Sequence, residues 1–172
     1  MNFDTKHIMR WGIPGWYFIL NIVLVVSFIF GFEWIISTQF IAPSIIITLM
    51  GVPLGYILYQ PYFFLSNFCY KDYTLDWNLN LLKQENEDKR DFLSKRYAYL
   101  LTVIHGHGSL LSSISISILT IIIISCINHI FNIKIMWLLI SNVLLFFIVF
   151  VNFTHYQKNI IEFIKKVLDK DN

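Results

Sequence analysis

Four stretches of this chain contain no charged residue, and each is long enough to cross a lipid bilayer. They run from 11 to 32, from 34 to 70, from 97 to 133 and from 135 to 157. A transmembrane helix needs about 20 mostly apolar residues to cross about 30 Å of hydrocarbon. We therefore expect four transmembrane helices, over residues 11–32, 39–66, 97–127 and 135–156.

The composition agrees with a membrane protein. The hydrophobic fraction is 56% and the mean hydropathy is +0.62, both high for an ordinary soluble domain. Outside the four spans there remain a loop over 67–96 and a C-terminal tail over 157–172, and neither is long enough for a separate soluble core. The sequence thus predicts an all-α membrane protein with one four-helix transmembrane domain over 1–172.

Lysine and arginine are distributed unevenly along this arrangement. Of the 13, two precede the first span, six lie in the 67–96 loop and four in the C-terminal tail, while Lys134 lies between the last two spans. Loops rich in Lys and Arg stay on the cytoplasmic side of a membrane. We expect both termini and the 67–96 loop to be cytoplasmic. The abundance of Ile, Asn and Lys indicates a bacterial protein, located in the inner membrane.

Small and hydroxyl side chains recur at helical spacing in the second and third spans. Successive members are three or four residues apart, so each set forms a stripe along one side of its helix. Such stripes let two backbones approach closely, and their hydroxyls bond across the seam. We interpret them as a packing seam, between these two spans or between subunits, or alternatively as the lining of a pore. The members are Ser44, Thr48, Gly51 and Gly55 in the second span, and Thr102, Gly106, Ser109, Ser113, Ser117 and Thr120 in the third.

The second span also contains a candidate hinge at Pro53. Proline removes one helical hydrogen bond and clashes with the preceding turn, and Gly51 and Gly55 flank this proline. We expect a kink or a break at this point, which is either static or the hinge of a gate.

Histidine and asparagine are the side chains inside the spans that could carry chemistry. We take His105, His155 and Asn152 as a candidate polar or proton-carrying site, because His titrates near neutral pH. A haem held between His105 and His155 is disfavoured, since we expect these residues to differ in depth by about two helical turns. The alternative role is interhelical hydrogen bonding, which we assign to Asn21 and Asn142. The sequence contains no metal-binding or catalytic motif, so we expect no metal, no cofactor and no enzyme activity.

The 67–96 loop has the features of a helix rather than of a flexible linker. Glu85 with Lys89 and Asp91 with Lys95 form acid-first pairs four residues apart, which stabilise helices. We expect a helix to begin near Lys83 and to run into the third span, projecting about four turns into the cytoplasm. The C-terminal tail is expected to extend the fourth span or to lie in the membrane interface.

These features support two functions. The first is a homo-oligomeric membrane protein that forms or gates a pore, or perturbs the membrane, with the stripes as its seam or lumen. The alternative is a membrane-embedded accessory or binding protein whose 67–96 loop and C-terminal tail receive a partner. The expected partners are the lipid bilayer, further copies of the chain and a soluble cytoplasmic protein. A net charge of only +2 gives no reason to expect nucleic-acid binding.

Overall fold

The chain folds into four α-helices in a computed structural model, which describes residues 11–33, 44–64 and 87–168. The helices are α1 (Ile13–Phe30), α2 (Ser44–Phe64), α3 (Glu87–Ile127) and α4 (Ile133–Leu168). Each is long and apolar enough to cross a membrane, which confirms an all-helical chain with four candidate transmembrane helices. With 41 and 36 residues, α3 and α4 are about 61 and 54 Å long, well beyond the thickness of a bilayer.

α1 and α3 run in the same direction, and α4 runs back along them. Near the start of α1, Pro14 O accepts a hydrogen bond from Ser113 Oγ, in the middle of α3. Near the end of α1, Val25 packs with Ile121, further along α3, and Ile135 in the first turn of α4 joins the same buried cluster. α4 therefore starts beside the ends of α1 and α3 and finishes beside the beginning of α3.

The turn between α3 and α4, residues 128–132, has a hydrogen-bonded cap at each side. His129 has a left-handed backbone (φ 53°), and Ile130 N–H bonds to Ser125 O at 3.0 Å, as in a Schellman cap. The Asn132 side-chain oxygen accepts the Ile135 N–H at 2.9 Å and so caps the start of α4. Two caps in so short a connection favour an antiparallel pair of adjacent helices.

α2 runs antiparallel to α1. The Trp11 ring, at the very beginning of the bundle, packs edge-on against Tyr56 at 5.3 Å, whereas Trp16 Nε1 donates to Thr48 O at 2.9 Å, earlier in α2. The end of α2 then contacts the first half of α3. Trp11, the end of α2, the beginning of α3 and the end of α4 thus share one end of the bundle.

α1 and α2 cross in direct backbone contact, which glycine permits. Gly15 of α1 lies against the backbone of Gly51 and Gly55, one turn apart in α2, and Gly55 also meets the Trp11 carbonyl. A Cβ atom at Gly15 or Gly55 would collide with these backbone atoms. Close approach through small residues increases the van der Waals contact that holds membrane helices together.

α3 and α4 remain packed together beyond the charge-free part of α4. The rings of His107 and Tyr156 lie 5.3 Å apart, which sets the register of the two helices. α4 carries charges from Lys158 onward, so its charge-free part ends level with about residue 105 of α3. Beyond this level the two helices share a buried apolar cluster of Leu93, Leu100, Ile104, Ile160 and Ile164.

We call residues 87–104 of α3 together with 158–167 of α4 the α3–α4 extension. On α3 it is about 27 Å long. The helix expected in the 67–96 loop is continuous from Glu87 into the third charge-free stretch, and its expected start near Lys83 lies outside the described residues. The C-terminal tail extends the fourth helix, which was the first of its two expected conformations.

The backbone contact between α1 and α2 can be tested with Gly15→Ala. The added Cβ meets the Gly51 carbonyl and forces the helices apart, so we expect a loss in the free energy of unfolding of about 2 kcal/mol or more. Gly106→Ala is the matched control, because no neighbouring atom lies within 4 Å of a Cβ added there. Denaturation in detergent micelles measures both, and equal stability of the two variants would contradict the contact.

Candidate functional site

The middle of the small-residue stripe on α3 is buried within the chain. Ser109, Ser113 and Ser117 have no exposed surface. Ser113 Oγ donates a 2.6 Å hydrogen bond to Pro14 O, so α1 lies against this side of α3. Ser117 Oγ and, two turns further on, Ser125 Oγ are buried and bond to no described residue. In the described part of one chain, these serines lie in a packed helix interface rather than along a lumen.

The remaining stripe residues of α3 are half-buried. Thr102 Oγ1 donates to Ala98 O, and Thr120 Oγ1 donates to Ile116 O, both at 2.8 Å. Gly106 lies between them along the helix, with open space beside it. Both hydroxyl groups thus donate to carbonyls of α3 itself and not to another helix among the described residues.

The stripe of α2 faces α1 and not the stripe of α3. Gly51 and Gly55 are buried in the crossing with α1, while Ser44 is half-buried and Thr48 is exposed. The Thr48 carbonyl accepts the indole N–H of Trp16, again from α1. The expected seam between the stripes of the second and third spans is therefore corrected. α1 lies beside both stripes. Its Gly15 backbone packs against Gly51 and Gly55 of α2, and its Pro14 carbonyl accepts the Ser113 hydroxyl of α3.

Pro53 lies inside a continuous helix. α2 is helical from Ser44 to Phe64 without a break, and the Pro53 ring is exposed on the side opposite Gly51 and Gly55. Proline leaves the carbonyl of Leu49 without its helical partner. The helix is not broken at this point, and a role for Pro53 as a hinge stays a prediction.

A buried polar network joins α1 to α4. Asn142 Oδ1 accepts from Tyr17 OH at 2.6 Å, and Asn142 Nδ2 donates to Asn21 Oδ1 and to Leu138 O, both at 2.8 Å. Asn21 Nδ2 donates to the Tyr17 carbonyl at 3.0 Å. Only 3% of Asn21 and 2% of Asn142 is exposed. Their expected interhelical role is confirmed, whereas Tyr17 was missed although it lies one turn before Asn21.

His105 of α3 is half-buried against α2, among aromatic rings. The rings of Tyr59 and Tyr62 lie edge-on at 6.0 and 5.7 Å from its imidazole. Tyr62 also occupies the space beside Gly108, where any side chain would displace it. His105 is therefore positioned by its contacts with α2.

The other members of the candidate polar site lie elsewhere. His155 and Asn152 are exposed on the outer side of α4, so they are not brought together with His105. His107 Nδ1 donates to Val103 O of its own helix at 2.8 Å. The His107 ring faces α4 and contacts Tyr156, the residue next to His155. In this register His155 and His105 differ in level by about three residues, less than one helical turn, rather than by the two turns expected. No three His, Cys, Asp or Glu side chains in the described ranges are grouped to hold a metal.

The α3–α4 extension has an apolar interior and a charged exterior. Lys95 and Asp91 form an exposed ion pair at 2.6 Å, as the sequence spacing predicts, and Arg96 lies over the Tyr99 ring at 5.7 Å. Phe92, one turn before Arg96, is 66% exposed. The charged residues that α4 adds to this exterior are Lys158, Glu162, Lys165 and Lys166.

No protein-family model, curated protein or solved structure matches this chain. The arguments for its function therefore rest on the helix contacts and surfaces described above.

Asn142→Leu tests the buried network. It leaves the Asn21 amide and the Tyr17 hydroxyl without their partner, so we expect the free energy of unfolding in micelles to fall by about 2 kcal/mol. Asn21→Leu should cost a similar amount, and the double variant should cost less than the sum of the two. Val143→Leu, which changes an exposed side chain on the same helix, is the control and should unfold like the wild type. Strictly additive losses would show that the two amides do not interact.

Proposed function

We propose that the protein is a membrane-embedded accessory protein that presents the α3–α4 extension to a soluble partner in the cytoplasm. In this proposal both termini and the connection between α2 and α3 are cytoplasmic, because 12 of the 13 Lys and Arg residues belong to those segments. Lys134, in the first turn of α4, lies on the other side. A bacterial inner membrane fits this orientation.

The packing within the extension is the observation that supports the proposal. Leu93 and Leu100 of α3 are buried against Ile160 and Ile164 of α4, with at most 8% of any of them exposed. An isolated amphipathic helix in water is marginally stable, whereas a packed pair holds its surface in one conformation. A preformed surface loses less conformational entropy when a partner binds. Anchoring in the bilayer alone requires no such projecting pair.

The exterior of the extension has the chemistry of a protein-binding surface. Phe92, Arg96 and Tyr99 follow one another at helical spacing on α3, and both aromatic rings are more than half exposed. Aromatic residues and arginine are enriched among the residues that dominate binding energy. α4 adds three lysines and one glutamate. The best-fitting partner is a soluble protein with an apolar pocket and acidic residues around it.

A homo-oligomeric pore is the second candidate. Ser109, Ser113 and Ser117 are buried within one chain, so a lumen would have to form between copies rather than along this stripe. The polar side chains exposed on the outer side of α4 favour such an arrangement: Ser141, Asn152 and His155. A pore gives no role to the extension, and we therefore favour the accessory function.

The orientation can be tested with Glu87→Cys, in a chain whose Cys69 and Cys126 are replaced by serine. A membrane-impermeant maleimide added to intact cells should leave this cysteine unlabelled and should label it after the membrane is opened. Lys134→Cys is the matched control and should be labelled from outside. Labelling of Glu87→Cys in intact cells would contradict the orientation.

Partner binding can be tested with a photo-crosslinking amino acid at Phe92. We expect light to join position 92 to a soluble cytoplasmic protein, and Arg96→Glu to lower the yield of this adduct roughly ten-fold by removing a binding residue. The control position is Phe147, which is 59% exposed on the charge-free part of α4. It should give no adduct with a soluble protein.

Two results would contradict the accessory function. One is the absence of any protein adduct at position 92 in cells that contain the full-length protein. The other is an adduct whose yield is the same with Arg96→Glu, which would indicate random collision. Adducts between copies of the chain, together with dye leakage from liposomes, would favour the pore.

A further inference from the structure

Three asparagines lie in the charge-free stretches of α1 and α4, and two of them are paired with each other among the described residues. Asn21 and Asn142 bond to each other in the buried network. Asn152 is exposed on the outside of α4, and none of the hydrogen bonds among the described residues involves its side chain. An amide in hydrocarbon without a partner is costly, and polar side chains in such positions are usually bonded.

The position of Asn152 prevents it from reaching the polar end of α4. It lies six residues before Lys158, which places it about 9 Å inside the charge-free stretch. Side chains on a helix tilt toward its N-terminus, and the N-terminus of α4 is at the opposite end from Lys158. The amide therefore points away from the charged residues and deeper into the apolar layer.

Asn152 belongs to an outward face of α4 with three further exposed residues. They are Ser141, Ile148 and His155, and with Asn152 they fall within about 60° of arc. The centre of this face is about 110° around the helix from Asn142, so it does not overlap the contact with α1. We call these four residues the Asn152 face.

We infer that the Asn152 face binds a second copy of this chain. An amide carries both a donor and an acceptor, so two Asn152 side chains related by a two-fold axis can satisfy each other. Two copies inserted with the same orientation bring this residue to the same depth, which is the condition for that pairing. The short Ser141 side chain, which bonds its own helix at Leu138 O, lets the two α4 helices approach.

The experiment is energy transfer between donor-labelled and acceptor-labelled full-length protein in liposomes, over a series of lipid dilutions. The wild type should show transfer that is lost on dilution. Asn152→Leu should raise the protein density at half-dissociation roughly three- to thirty-fold, the range expected for an interhelical polar bond. Asn152→Gln keeps an amide and should retain most of the association. The control is Val143→Leu, at an exposed position on the opposite flank of α4, which should match the wild type.

A second measurement locates the face directly. In a chain whose own cysteines are replaced by serine, Ile148→Cys should form a disulfide between copies, whereas Val143→Cys should not. The inference is overturned if the wild type is monomeric at every density, which would leave the face to lipid or to another protein. It is also overturned if Asn152→Leu associates like the wild type, or if Val143→Cys is the variant that crosslinks. Binding of a soluble partner by the extension does not enter these tests.

Discussion

The first three turns of α1 contact all three other helices, each through a different interaction. The Gly15 backbone packs on α2, the Pro14 carbonyl accepts the Ser113 hydroxyl of α3, and Asn21 bonds to Asn142 of α4. Between helices in lipid the hydrophobic effect contributes little, so close packing and hydrogen bonds must hold them together. The position of α1 then determines the rest, because α1 separates the stripes of α2 and α3 and leaves the outer side of α4 free.

The sequence predicts the helices and their buried sides, but not which helix covers each side. Charge-free length is enough to find four helices, since lipid excludes charges along a whole span. The spacing of Gly51 and Gly55, or of Ser109 and Ser113, identifies a side that tolerates close approach. The spacing of small residues does not tell which helix packs against them. For this reason the sequence did not predict that α1 lies between these stripes. The α1 side of the crossing with α2 centres on Gly15, which is too short a signal to indicate a stripe.

Hydropathy alone does not show how α3 and α4 pack beside the charged end of α4. Hydropathy does not distinguish an apolar side chain that faces lipid from one that packs against another helix. Leu100 and Ile104 belong to the third charge-free stretch. The contact between His107 and Tyr156 places them beyond the last charge-free residue of α4, where Ile160 and Ile164 cover them. The error in depth for His105 and His155 has the same origin. The relative levels of residues on α3 and α4 follow only from the register of the two helices, which depends on the caps of the turn at 128–132.

The division between bundle and extension is what favours a binding function over a pore. The described contacts that join α1 to α3 and α4 lie on one side of the level of His107, and the extension lies on the other. The extension adds a buried cluster of its own. Ordering the two helices of the extension, about 27 Å of α3 and about 15 Å of α4, costs conformational entropy. The exposed Phe92 side chain gains no stabilisation from contact with water. The accessory function that we propose accounts for this exposed apolar surface through a partner that binds it.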